Sequence, residues 1–178
     1  MGHGAFNPSD YMRTASVAKT KTIHENFTSR KLHPDLDPKG FTNGIRESVD
    51  SPDNPKSTPI IVALDVTGSM GSLANQMAME GLGVLFQEIL DRKPVTDPHL
   101  MFMAIGDVRC DDAPIQVSQF EADNRIVEQL QKIYVEGQGG GNLTESYDAA
   151  WAVAGLMTKT DSFTKRAKKG YLFTVGDE

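Results

Sequence analysis

Three oxygen-bearing side chains alternate along one short stretch, Asp65, Thr67 and Ser69 in the run Asp-Val-Thr-Gly-Ser. In extended chain passing into a turn, alternate side chains point the same way, so a carboxylate and two hydroxyls can face one point. Gly68 lets the chain bend tightly behind them. Two further groups of oxygen donors lie far downstream: Asn142, Thr144 and Glu145 follow a run of glycines, and Asp177 follows an apolar run. None of these donors is a histidine or a thiolate. Hard oxygen donors suit magnesium, manganese or calcium and disfavour zinc. With only Asp65 and Asp177 supplying charge, a dication is barely neutralised and keeps a position open for a carboxylate from elsewhere.

These groups need a scaffold that brings strand ends together. Residues 60–64, Ile-Ile-Val-Ala-Leu, form a continuous apolar run rich in β-branched side chains, as expected of a strand buried on both faces. A long helical stretch follows over 73–92, apolar on two adjoining faces (Leu73, Met77, Val84 and Leu85; Met79, Leu82, Phe86 and Ile89), which predicts little solvent exposure. Gly81 and Gly83 could permit close backbone approach, and Pro94 and Pro98 close the stretch. A second strand is expected over 100–105 and a weaker edge strand over 115–120. Helices are expected over 123–134 and from about 143 to 157, and a last strand over 171–175. This alternation argues for an α/β fold: an open, mostly parallel sheet with helices on both faces. In such folds ligands bind at the carboxyl ends of the strands, where Asp65, the glycine-rich loop and Asp177 all fall.

The run "IIVALDVTGSMGS" is similar to the first metal-site motif of the von Willebrand factor A family, Asp-x-Ser/Thr-x-Ser, here with threonine in the middle place. "GGGNLTES" and "LFTVGDE" stand where that family carries a loop threonine and an aspartate after the fourth strand. "GDVRCDDAPIQV" together with "GGGNLTESYDAA" also resembles an uncharacterised bacterial and phage branch of the family. The resemblance covers residues 59–178. It implies a Rossmann-like sheet in the order third, second, first, fourth strand, and one cation at a metal-ion-dependent adhesion site. Asp65, Thr67, Ser69, Thr144 and Asp177 would hold that cation, with Asn142 the alternative to Thr144 because the family threonine usually follows the glycines directly. Mg2+ is the implied ion, with Mn2+ or Ca2+ as alternatives. The implied role is adhesion of a partner protein's acidic side chain without catalysis, and the resemblance permits an AAA-type ATPase as that partner. The family fold continues beyond the fourth strand whereas this sequence stops at Glu178, so an incomplete sheet is expected. Residues 171–175 would then form an apolar edge needing cover from the amino-terminal arm, a second copy of the chain or further residues.

Other readings compete. Ser69 or Ser72 could simply cap a helix. Ser69 could imitate the nucleophile of an α/β hydrolase, but Thr67 replaces the expected glycine, and His99 precedes the second strand, at the wrong end of the sheet. Asp107, Asp111 and Asp112 read as solvated loop charges, although Asp107 should lie near the site. Lys165, Arg166, Lys168 and Lys169 read as a solvated connection.

Composition narrows the classes further. Residues 1–58 carry eight basic and seven acidic residues, whereas 59–178 carry ten and seventeen. An acidic domain is a poor partner for nucleic acid. Six of the nine prolines fall at or before Pro59, so 1–58 reads as an extended arm, mobile or laid over a domain at 59–178, with a short helix possible over 11–21. No apolar run approaches a membrane span, no secretory signal is visible, and Cys110 is the single cysteine. A cytoplasmic protein is expected.

Overall fold

The structure, a computed structural model, describes residues 4–68, 76, 81–136 and 146–176. It is mixed α/β, with two sheets of mostly parallel strands. The main sheet is built from β2 (Thr58–Asp65), β3 (Pro98–Ile105), β4 (Ile115–Val117) and β6 (Tyr171–Val175), in the order β4-β3-β2-β6. This is the order expected of the four strands. β3 and β6 run parallel to β2, while β4 runs antiparallel to β3 at one edge. The weakly patterned strand over 115–120 is thus shorter than expected and does form an edge.

β2 is central because its sequence tolerates no solvent on either face. Ile60, Val62 and Leu64 join Leu100, Phe102 and Ala104 in one apolar cluster, whereas Ile61 and Ala63 join Met101, Met103 and Ile105 in another. Helices cover both faces. The first cluster takes Ile89 from α3 (Leu82–Arg92) and Ile126, Val127 and Leu130 from α4 (Arg125–Leu130). The second takes Ala150 and Val153 from α5 (Tyr147–Leu156). Burying each of these aliphatic side chains stabilises the fold by roughly 1.5–3 kcal/mol.

Several expected elements are corrected. The helix expected over 123–134 is only the six residues of α4. Of the stretch 73–92, only the carboxyl half falls within the described residues as a named helix, and there Val84 is exposed rather than packed. Lys93, in the left-handed region at φ 47°, ends that helix ahead of Pro94, and Pro98 belongs to β3.

Residues 4–58 fold against the sheet. Helix α1 (Pro8–Lys19) brings Tyr11 to the first cluster, and the short α2 (Ile23–Asn26) leads to Phe27, which joins it there with Leu36; Phe41 joins the second. Thr28 donates its N–H to the Gln131 carbonyl at 3.1 Å. The segment β1 (Arg46–Ser48) pairs in parallel with β5 (Thr158–Thr160) as a second, two-stranded sheet. Among the described residues, the arm therefore pairs with β5 and not with the edge strand β6, which it was one candidate to cover. Arg46 itself is buried. Its guanidinium lies 3.8 Å from the centroid of the Phe41 ring and donates to the carbonyls of Asp35 and Val117. Burial pushes it down to about 10. Among the described residues, no helix is long and apolar enough to cross a membrane.

One charged clasp ties the arm to α6 (Asp161–Arg166). Arg166 donates from Nη1 to Asp50 Oδ2 at 2.6 Å and from Nη2 to Oδ1 at 3.0 Å, and Nη2 also reaches the Ser57 carbonyl at 2.9 Å. Ser57 adds its N–H and hydroxyl to Asp50 Oδ1, at 3.1 and 2.7 Å. The Asp50 N–H donates to Asp161 Oδ2 at 2.9 Å, and Lys165 bridges to Asp161 at 2.7 Å. Arg166 is thus half-buried and engaged, contrary to its reading as part of a solvated connection, whereas Lys165 is paired but exposed. The Arg166 guanidinium, and then the Ser57 donors, hold the Asp50 carboxyl well below the usual carboxylate range. A depressed carboxyl contributes stability that is present above its unfolded value and is lost as pH falls towards its folded one. Arg166→Ala should therefore cost about 2 kcal/mol at neutral pH, since it strips a forked charge-assisted pair. Urea titrations should show the gap between wild type and Asp50→Asn narrowing as pH drops below about 4.

Candidate metal centre at the strand ends

At the carboxyl end of β2 stands the most deeply buried carboxylate among the described residues. Asp65 has no exposed surface. Its Oδ1 accepts two hydrogen bonds from Thr67, from the backbone N–H and from Oγ1, both at 2.7 Å. Its Oδ2 accepts from the Tyr147 hydroxyl at 3.0 Å. Among the described residues, no lysine or arginine forms an ion pair with it. The short Asp-x-Thr spacing produces the first pair of bonds, because the turn after β2 folds the Thr67 amide back over the preceding carboxylate. Thr67 is itself 8 % exposed, so its hydroxyl belongs to the interior of the site.

The neighbouring strand ends converge here. β2 and β3 pair so that Asp65 stands beside Ile105, and Asp107 follows two residues beyond the end of β3, as Thr67 does beyond β2. Asp107 is 4 % exposed, which corrects its reading as a solvated loop charge. Its Oδ1 accepts from the Arg109 N–H at 2.8 Å, and its own N–H donates to Asp111 Oδ2 at 2.7 Å. Asp111 thus shapes the loop, and Asp112 is exposed as expected. The start of α5 is tied to the same loop: Ser146 donates its N–H to the Gly106 carbonyl at 3.3 Å, and its Oγ accepts from the Val108 N–H at 3.1 Å. That fixes Tyr147 where it can reach Asp65. At the end of β6, Gly176 lies so close to Tyr147 that a Cβ there would run into the phenol.

Of the five expected metal-site residues, the structure therefore brings Asp65 and Thr67 together. Ser69, Thr144 and Asp177, with Asn142, lie outside the described residues. Sequence reasoning missed Tyr147 and Ser146, and gave Asp107 too little weight. The position of Asp107, two residues beyond a buried strand as Thr67 is beyond its own, was a usable signal. Tyr147, three residues after Thr144, was another, as a polar-tipped aromatic opening a helix.

Asp65, Thr67 and Tyr147, the donors bonded to one another here, offer only oxygen, the donor type that a hard cation takes. Thr67 commits its hydroxyl proton to Asp65, so its oxygen can act towards any third group only as an acceptor, as a metal ligand must. His99 belongs to a different region. It is fully buried, bonded through Nδ1 to Ser48 Oγ at 3.1 Å, and stands beside Pro59 in the pairing of β2 with β3. That is six residues below Asp65, or roughly 20 Å along the strand. Compared with protein-family models, with curated proteins and with solved structures, the chain matches none.

Two glycine substitutions separate the site's packing from general helix effects. Gly176→Ala should displace Tyr147 and lower the thermal midpoint by several degrees, about 1–3 kcal/mol for forcing atoms into occupied space. Gly155→Ala, in α5 with nothing near the added methyl, should be neutral or stabilising by up to about 1 kcal/mol. Thermal melts followed by circular dichroism check both.

Proposed function

We propose that this chain is a divalent-cation-dependent protein-interaction module of the von Willebrand factor A type, with no catalytic role. The observation that carries this reading is the buried Asp65 carboxylate. It orients the Thr67 hydroxyl at the end of the central strand, and a second buried carboxylate, Asp107, follows the end of the neighbouring strand. Asp65, Thr67, Ser69, Thr144 and Asp177 would hold the ion, with Asn142 in place of Thr144 as the alternative arrangement. When bound, a cation such as Mg2+, or Mn2+ or Ca2+, supplies an electrophilic point that a partner's aspartate or glutamate can ligate. The residues of the chain do the positioning. Asp65 fixes the direction of the Thr67 lone pairs, Tyr147 fixes Asp65, and Ser146 fixes the start of the helix that carries Tyr147. The exposed Cys110 thiol suits a reducing compartment. A hydrolase using Ser69 is the weaker reading, since His99 stands at the far end of β2 and β3.

Calorimetry tests the proposal. Magnesium or manganese should bind with one-to-one stoichiometry, and Asp65→Ala should abolish the heat. Thr67→Val should weaken binding by roughly tenfold or more, whereas Thr67→Ser, which keeps the hydroxyl, should retain it. Unchanged affinity in Asp65→Ala would end this reading. With Mn2+ bound, an aspartate-bearing peptide should lower the water relaxivity of the ion by displacing coordinated water, and an asparagine-bearing peptide should not.

A further inference from the structure

At the opposite end of β2 the charge reverses. A cavity of about 270 Å3 opens beside Thr58, lined by four cationic side chains, Lys56, Arg166, Lys168 and Lys169, and by no acidic one. The whole chain carries a net charge of −6, so this concentration of positive charge runs against its composition. Arg166 is committed to Asp50. Among the described residues, Lys56, Lys168 and Lys169 form no ion pair. The surrounding carboxylates are bonded to other groups: Asp50 to Arg166 and Ser57, Asp161 to Lys165, and Asp97 to the Lys56 N–H at 2.7 Å. Three lysines that form no ion pair among the described residues thus line one recess.

The remaining walls are apolar. Pro94 and Val95 form one side. Tyr171 forms another, half-exposed and stacked on Phe173 with ring centroids 6.5 Å apart and planes 7° from parallel. A ring braced in this way presents its outer part as a flat apolar surface.

We propose that this recess binds a small phosphate-bearing molecule, with the phosphate held by Lys56, Lys168 and Lys169 and any attached organic group lying against Tyr171. Lysines act as mobile point charges and suit a compact group carrying more than one negative charge. The volume admits a phosphate with a small substituent and is too small for a folded partner. The site is independent of the cation reading: Thr58 and Asp65 stand at opposite ends of β2, about 23 Å apart at the usual strand rise.

Calorimetry on the full chain, at low ionic strength and with a chelator present, should show saturable one-to-one binding of inorganic phosphate and of adenosine monophosphate. The double variant Lys168→Ala, Lys169→Ala should weaken both by roughly tenfold or more, while its urea midpoint stays that of the wild type, because both side chains are exposed. Equal affinity for the two probes supports free phosphate as the ligand. Tighter binding of adenosine monophosphate, with the gain lost in Tyr171→Ala, supports a phosphate ester carrying a ring. Absence of saturable binding for both probes would overturn the proposal. So would affinity that the double lysine variant leaves unchanged, or binding of an oligoglutamate peptide with none of phosphate.

Discussion

A carboxylate without exposed surface, placed at the end of the most apolar strand in the chain, constrains most of what surrounds it. Burial of such a group costs several kcal/mol unless donors replace its water. Asp65 obtains them from Thr67 and Tyr147. Tyr147 reaches it only because Ser146 anchors the start of its helix to the loop after β3, and because a glycine ends β6. A turn, a helix start and a strand end are thus tied to one side chain. Without that requirement, residue 147 could be any helix former and residue 176 any residue.

The parts legible from sequence were those whose signal is local. Ile-Ile-Val-Ala-Leu reads as a strand buried on both faces because nothing in it can meet water, and Leu100–Ile105 reads the same way. Asp-x-Thr revealed itself by spacing alone. The rest depended on partners distant in the chain. Arg-Glu-Ser and Thr-Lys-Thr carry no strand pattern; each is a strand because the other lies alongside it. Arg166 looked like a solvated charge because its partner, Asp50, is 116 positions earlier. Asp107 looked solvated because a loop aspartate usually is, and only the folded loop, in which it accepts from the Arg109 N–H, shows that it is buried.

Charge follows the same axis. At the carboxyl end of β2 Asp65 and Asp107 are buried, whereas at the amino end Lys56, Lys165, Arg166, Lys168 and Lys169 gather around Asp50, Asp97 and Asp161. Parallel pairing lets the two ends differ, since it gathers all the loops that precede strands at one end and all the loops that follow them at the other.

The union of β1 with β5 has a consequence for the life of the nascent chain. Residues 46–48 have no strand partner until 158–160 have been synthesised. Phe27, Leu36 and Phe41 likewise wait for later residues to bury them. Until those residues emerge, this segment is unfinished, with aromatic side chains available to chaperones. Such remote pairings place folding towards the slower, millisecond-to-second regime, because long loops must close before any contact rewards them. Docking of residues 46–48 waits for a segment made much later.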